Sequence, residues 1–399
     1  EDLSGDFQFS RNSAATRVNA QGLVENVQIL SSNLVSNGDF SQEGVQEVSN
    51  GSFSQEGAEE VTNGDFATDS DWNKTQAIIS NGEANISSDG SYAAIDQSNV
   101  SVIGKTYFYS IDVKSIIGTL QFRVGSGTDV DITTTGVKTG YIKATSTTLE
   151  IKRKSGAGAI NATIDNVSVK EVGQDWSLGT GWSIGEDKAL NTGGANFSDL
   201  TQLNTDIIIG KNYKITYTVS DYVSGSFKFI MNSNTTAGLL RNADGTYTDY
   251  LTSAAQAYSF RTQGSGFIGS ITNISVKEVG QDWTLGTGWS IGDNKAIYTG
   301  TANANLSQNN VLASGKKYKL QYTVISSTLV DGVVKLSGST SAAQEILSQA
   351  TGTYSLFFIA DGSSPTNLDI RIVVNTSGQF DITNISVIEI TDDTNLPRI

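Results

Sequence analysis

The stretch Gln174-Asp-Trp-Ser-Leu-Gly-Thr-Gly-Trp-Ser-Ile-Gly185 returns 107 positions later as Gln281-Asp-Trp-Thr-Leu-Gly-Thr-Gly-Trp-Ser-Ile-Gly292, with one conservative change. A period of that length is too long for a solenoid coil and matches one small sandwich, so it predicts tandem domains. The rest of each copy follows in the same order, and a more diverged third copy precedes them. Near the middle of each lies a strand signature: Gly104-Lys-Thr-Tyr107-Phe-Tyr109-Ser-Ile111-Asp-Val113, Gly210-Lys-Asn-Tyr213-Lys-Ile215-Thr-Tyr217-Thr-Val219 and Gly315-Lys-Lys-Tyr318-Lys-Leu320-Gln-Tyr322-Thr-Val324. Apolar residues at period two turn one face inward and leave the other wet, as in an antiparallel sandwich.

Working outward, each copy is expected to close with a hairpin. Its first strands are Leu149–Arg153, Tyr258–Arg261 and Leu368–Ile372, returning into Ile164-Asp-Asn-Val167-Ser-Val169, Ile271-Thr-Asn-Ile274-Ser-Val276 and Ile382-Thr-Asn-Ile385-Ser-Val387. Seven to nine short strands per roughly 110 residues is the density of a two-sheet sandwich or jelly roll. The fold class is therefore all-β, with tandem antiparallel β-sandwich domains at 60–173, 174–280 and 281–391. Val172-Gly173 and Val279-Gly280 pass straight into Gln-Asp-Trp with no linker, so an extended, semi-rigid rod is expected.

A shorter repeat lies upstream. Val35-Ser-Asn-Gly-Asp-Phe40 is echoed by Val48-Ser-Asn-Gly-Ser-Phe53 and Val61-Thr-Asn-Gly-Asp-Phe66, at a period of 13. One Val and one Phe per unit are too little apolar surface to stand free, so these units need neighbours. Residues 34–59 read either as a linker expanded by duplication or as a narrow β-stalk shared by several chains. Residues 1–33, with Phe7 and Phe9 alternating and a turn at Gln21-Gly22, read as a short β-rich attachment segment, and 392–399 as a C-terminal tail. Opening on Glu1, the chain is expected to have a processed N-terminus.

Composition sharpens this by exclusion. The 41 Gly and only 2 Pro leave Gly and Asn to make the turns. A net charge of −15 repels nucleic-acid phosphate and anionic membrane, and no apolar run approaches the roughly 20 residues of a spanning helix. With no Cys and no His, disulfides, thiol nucleophiles, the usual zinc sites and His-based catalysis are all unavailable to it.

Asn33-Leu-Val-Ser-Asn-Gly-Asp-Phe40 and Val61-Thr-Asn-Gly-Asp-Phe66, followed by Asp71-Trp72 and closed by Ile164-Asp-Asn-Val-Ser-Val169, resemble the opening and closing strands of carbohydrate-binding-module jelly rolls. Phe9-Ser-Arg-Asn-Ser-Ala-Ala-Thr-Arg-Val-Asn-Ala-Gln-Gly-Leu23 and Asn395-Leu-Pro-Arg-Ile399 resemble segments of bacteriophage tail-fibre-like and other virion surface proteins, in which Pro-Arg-Ile usually leads into more chain. The resemblance implies a non-enzymatic, surface-displayed protein. It also implies a structural Ca²⁺ held partly by an acid on the last strand; Asp165 stands there in the first repeat, but Thr272 and Thr383 in the others.

Glycan recognition would call for exposed aromatics, whose faces pack on sugar C–H surface. The candidates are Trp72, Trp176, Trp182, Trp283 and Trp289. Against that role, the pairs Trp176/Trp182 and Trp283/Trp289 recur unchanged while nearby loops diverge, which favours packing in the core; in the first repeat the second Trp has become Ala77 or Ile78. The loop aromatics Tyr92, Tyr222, Tyr250 and Tyr298 do not recur in register. Asp129-Val-Asp131 lacks the ligand spacing of a Ca²⁺ loop, and no helix follows Gly125-Ser-Gly127 to make a phosphate cradle. No pair of acids sits in a distinctive glycosidase motif.

Three functions compete: a virion fibre or decoration protein contacting host polysaccharide, accessory glycan-binding modules of a secreted bacterial enzyme or adhesin, and a ligand-free spacer. The first predicts a homo-oligomer, a trimer if a fibre, together with other virion proteins, at the virion surface and outside the cell.

Overall fold

The computed structural model describes residues 16–18, 24–26, 29–127, 129–231, 237–329, 332–337, 345–361, 365–373 and 377–391. The chain divides into two compact units, one of residues 1–45, 211–214 and 277–399, the other of residues 46–210 and 215–276. Among the described residues every regular element is a β-strand. The strands build three sandwiches, called here rolls 1, 2 and 3 in chain order.

Roll 1 shows the plan. One sheet runs in the order Gly136–Lys143, Thr106–Ile117, Ile160–Val172, Glu83–Ser88, Ala77–Ser80; the other runs Val130–Ile132, Leu120–Val124, Leu149–Arg153, Ala94–Gln97, Asn73–Thr75. Neighbouring strands pair antiparallel. The period-two strand behaves as read: Tyr107, Tyr109, Ile111 and Val113 are all buried, and Tyr109 stacks on Phe122 of the opposite sheet with ring centroids 4.4 Å apart. The matching residues Tyr213, Ile215, Tyr217 and Val219, and Tyr318, Leu320, Tyr322 and Val324, are buried in the same alternation. The Gly-Lys-x-Tyr lysine has a fixed task as well. Lys105 pairs with Glu171 at 3.0 Å, Lys211 with Glu278 at 3.3 Å and Lys316 with Glu389 at 3.3 Å, each tying the strand start to the end of the closing strand.

The expected terminal hairpins are not hairpins. Leu149–Arg153 pairs with Ala94–Gln97 and Leu120–Val124, whereas Ile160–Val172 pairs in the other sheet with Glu83–Ser88 and Thr106–Ile117. Leu368–Val373 and Gly378–Thr391 of roll 3 are split between sheets in the same way. In roll 2 a single strand, Ala257–Val279, crosses from one set of partners to the other, with Leu200 opposite Phe260 and Ala189 opposite Ile271. Both edges of each strand are already hydrogen-bonded, so the chain arches across the core instead of folding back on itself.

The 13-residue units correct the second expectation. Residues 34–59 are not a stalk: each unit is the missing first element of one roll. Phe66 is buried against Trp72, Phe53 against Trp176 and Phe40 against Trp283, at centroid distances of 5.4, 5.2 and 5.2 Å. Unit 61–66 thus closes roll 1, 48–53 closes roll 2 and 35–40 closes roll 3. The order of connection is nested, with first unit to last roll. The strands before the units follow suit, Glu56–Glu59 pairing with Ile160–Val172 and Ile29–Leu30 with Gly378–Thr391. The physical reason is the one that made a free stalk implausible: a Phe and a Val per unit find a core only inside a sandwich.

The expected boundary at residue 33 falls inside roll 3, since the Leu34 N–H donates to the Val387 carbonyl and the Val387 N–H to the Asn33 side chain. Of the N-terminal segment, Thr16–Val18 pairs antiparallel with Val24–Asn26, while Gln21-Gly22, where a turn is expected, lie outside the described residues. Phe7, Phe9 and the tail 392–399 lie outside the described residues.

Candidate functional site

The repeated Leu-Gly-Thr-Gly-Trp turn positions the edge of rolls 2 and 3. Gly179 N–H donates to the Asp199 carbonyl at 2.8 Å, and a Cβ on Gly179 would stand 2.6 Å from Ser198 Oγ. Gly181 has φ +86°, a left-handed value that favours glycine. Gly286 and Gly288 (φ +88°) repeat both demands against Asn305 and Thr299. The turn that first revealed the tandem copies is therefore backbone architecture.

All five Trp belong to the core, each exposing at most 6% of its surface, so none offers a ring face to a sugar. Three of them recognise the 13-residue units. The indole N–H of Trp72, Trp176 and Trp283 donates to the carbonyl of Asn63, Asn50 and Asn37 at 3.0, 3.2 and 3.0 Å. Trp182 packs beside Phe267, and Trp289 meets Tyr298 edge-on.

Asp165 does not fit a Ca²⁺ site. It stands opposite Asp112, and the Lys114 ammonium lies 2.6 Å from Asp112 and 3.5 Å from Asp165. The Asp165 carboxylate also accepts from the Asn166 backbone N–H and side-chain amide at 2.7 and 3.0 Å. Ca²⁺ takes six to eight oxygens, whereas here a cation of the chain's own already bridges the two acids. No cluster of three acids is found among the described residues. Thr272 and Thr383, at the matching places, donate to the carbonyls of Asp187 and Asn294. Asp131 is held by Lys154 and Gln121, which together keep its carboxyl below the usual range.

A different residue makes the site, and the sequence had not singled it out. Phe197 is 58% exposed with φ +57°. Its backbone is fixed on both sides: Phe197 N–H donates to Thr262 O, Ser198 N–H to Thr262 Oγ1, and Thr262 N–H to Ser198 O, at 3.1, 3.0 and 3.0 Å. Beside it opens a cleft of about 420 Å³ lined by Ser177, Thr180, Asn196, Asp199 and Thr201. Asp199 and Arg261 face each other across the strands in a two-pronged ion pair, at 2.8 and 2.7 Å.

Roll 1 places an aromatic ring at the same position. Phe197 precedes Leu200, which faces Phe260, by three residues, as Tyr92 precedes Ile95, which faces Ile151. Thr262 N–H donating to Ser198 O is matched by Arg153 N–H donating to Ala93 O at 2.9 Å. Tyr92 is 52% exposed, and its hydroxyl donates to Glu150, which Arg123 grips from the other side. Burial, then the Glu150 hydrogen bond, push Tyr92 up to about 12, so its hydroxyl remains a donor at neutral pH. Rolls 1 and 2 thus each present one exposed aromatic ring near an Arg–carboxylate pair, Arg123–Glu150 in roll 1 and Arg261–Asp199 in roll 2. Roll 3 has exposed Asn303 at that place, three residues before Leu306. Of the other loop aromatics, Tyr298 is buried, and Tyr222 bonds to the Gly225 carbonyl at 3.1 Å.

The charged groups beside the two rings are paired with one another. The buried polar group of roll 2 is equally closed: Tyr217 donates to Asp249 at 2.9 Å and accepts from Arg241 at 3.1 Å, while Arg241 grips Asp249 at 2.6 Å.

Fold and site define a protein of three tandem antiparallel jelly rolls with paired surface aromatics. No family model and no curated protein matches the chain. Among solved structures it is similar to the tandem CBM22-1–CBM22-2 domains of Paenibacillus barcinonensis Xyn10C, at 10% identity and a TM-score of 0.25, over 54% of this chain and 94% of that one. It is also similar to a chain of Sulfolobus Turreted Icosahedral Virus (11%, TM-score 0.18, 79% and 91% covered) and to a triple jelly roll from an archaeal virus turret (13%, 0.19, 78% and 89%). Superpositions that loose fix neither ligand nor role.

Proposed function

We propose that the chain is a non-catalytic attachment protein displayed on a virion surface, and that rolls 1 and 2 hold host polysaccharide at Tyr92 and Phe197. The observation that carries this reading is the recurrence of an exposed ring at one structural position in two rolls whose loops differ, each roll setting an Arg–carboxylate pair of its own nearby. A ring face takes the C–H side of a pyranose, and the planar polar pair takes hydroxyls at its edge. Each site alone is small and open, so useful affinity comes from linking several: two per chain, multiplied by chains in a homo-oligomer and by other virion proteins that hold them.

Affinity electrophoresis of the whole chain through gels carrying a panel of bacterial surface polysaccharides tests this. Retardation by at least one polysaccharide is expected, weakened by Phe197→Ala or Tyr92→Ala and abolished by both, with melting temperatures unchanged. No retardation on any gel, or retardation indifferent to the double substitution, refutes it.

A further inference from the structure

The three unit–roll junctions share one set of hydrogen bonds. A buried glutamine clamps the unit's backbone from both sides: Gln97 with Thr62 N–H and O at 2.8 and 2.9 Å, Gln202 with Ser49 at 3.0 and 2.9 Å, Gln308 with Ser36 at 2.9 and 2.9 Å. The roll's closing strand donates to the unit's glycine, from Val167, Ile274 and Ile385 to Gly64, Gly51 and Gly38, at 2.8, 3.0 and 2.9 Å. The approach there is so close that a Cβ on those glycines would stand 2.0, 2.2 and 1.9 Å from the carbonyl oxygens of the same three residues. With the Trp donor and the buried Phe described above, these contacts are present in all three grooves; Thr272 and Thr383 add a bond to the Ser52 and Asp39 carbonyls in rolls 2 and 3, and Asn204 and Tyr258 add bonds to the Glu47 carbonyl just before the roll 2 unit. The hexapeptides themselves differ only at Ser36/Ser49/Thr62 and Asp39/Ser52/Asp65, whose side chains make none of these bonds. What differs is connectivity: the Trp that binds the unit follows it by 9 residues in roll 1, 126 in roll 2 and 246 in roll 3.

We infer that the grooves do not distinguish one unit from another, and that the groove of roll 3 therefore accepts a unit from a second copy of this chain. Seating within one chain is favoured only by the local concentration that the connection supplies, and that advantage is smallest where the connection is longest. A chain whose own first unit cannot seat then pairs with a copy that donates one, a strand exchange of the kind that joins subunits through an existing contact.

Two full-length variants test it. Gly38→Val blocks seating of the first unit and leaves the roll 3 groove intact; Trp283→Ala spoils the groove and leaves the first unit free. Mixed, they are expected to associate one to one, seen by light scattering as a mass above that of either variant alone; wild type mixed with either variant shows no such rise. Labelled peptides report the groove directly. Copies of residues 29–42 (the cognate unit) and 43–55 (the second unit) are expected to bind the Gly38→Val chain one to one, within roughly tenfold of each other. Neither binds wild type, and a Phe53→Ala version of the second peptide does not bind. Overturning results are a cognate peptide that binds while the second-unit peptide fails, no binding by either, or a mixture whose mass stays that of the separate variants.

Discussion

Replacing Phe53 with Ala separates a docked unit from a stalk more cleanly than any other single change. Phe53 exposes 1% of its surface and its ring centre lies 5.2 Å from that of Trp176. Truncating a phenylalanine in such a setting costs about 3–5 kcal/mol, from lost transfer energy and the cavity left behind. A domain of this size holds only about 5–15 kcal/mol in total, so roll 2 should lose roughly a fifth or more of its stability. In calorimetry that is a fall on the order of 10 °C or more in the roll 2 transition. Ser52→Ala, one residue away and exposed, is the control and should stay within about 0.5 kcal/mol of wild type. Were residues 34–59 a free stalk, Phe53→Ala would behave like Ser52→Ala. Equal effects of the two substitutions would refute the reasoning.

Gly64→Ala should destabilise roll 1 by at least about 2 kcal/mol in urea unfolding, because its Cβ has no room beside the Val167 carbonyl and the Val167 hydrogen bond goes with it. Saturating Ca²⁺ or a chelator should move the melting temperature of wild type and Asp165→Asn alike by less than about 1 °C, since stabilisation by an ion requires a site for it; a clear Ca²⁺-dependent rise lost in Asp165→Asn would restore a metal there. Glu43 bonds to Lys214 and Lys277 at 2.6 and 3.0 Å, and those lysines hold its carboxyl below the ordinary 4.5. A carboxyl lowered by folding contributes stability above its unfolded value and loses it as pH falls through the folded one. Glu43→Gln should therefore melt below wild type at pH 7, with the gap narrowing as pH falls below 4.5; a gap that widens in acid would contradict the assignment.

Much of the fold was legible because it rests on local patterns. Tyr107, Tyr109, Ile111 and Val113 alternate with polar residues, and alternation of that sort can be satisfied only by a strand with one buried face. Recurrence of the Trp pairs pointed to the core where they lie. Partners distant in sequence were not legible. Leu149–Arg153 and the strand after it look like a hairpin because a turn sequence joins them, yet which edges are free for pairing depends on strands fifty residues upstream. Tyr92 and Phe197 seemed unrelated because their loops differ in length; only the pairing of Ile95 with Ile151 and Leu200 with Phe260 puts them at one position.

By itself, then, the sequence determined that the chain is all-β, that its sandwich unit is used three times, and that the 13-residue units cannot stand alone, because periodicity and apolar content per residue are properties of short windows. Which roll each unit completes, and where an aromatic reaches solvent, the tertiary structure decided. Those outcomes depend on hydrogen-bond and core vacancies created by residues up to 246 positions away, and nothing in a local window records them.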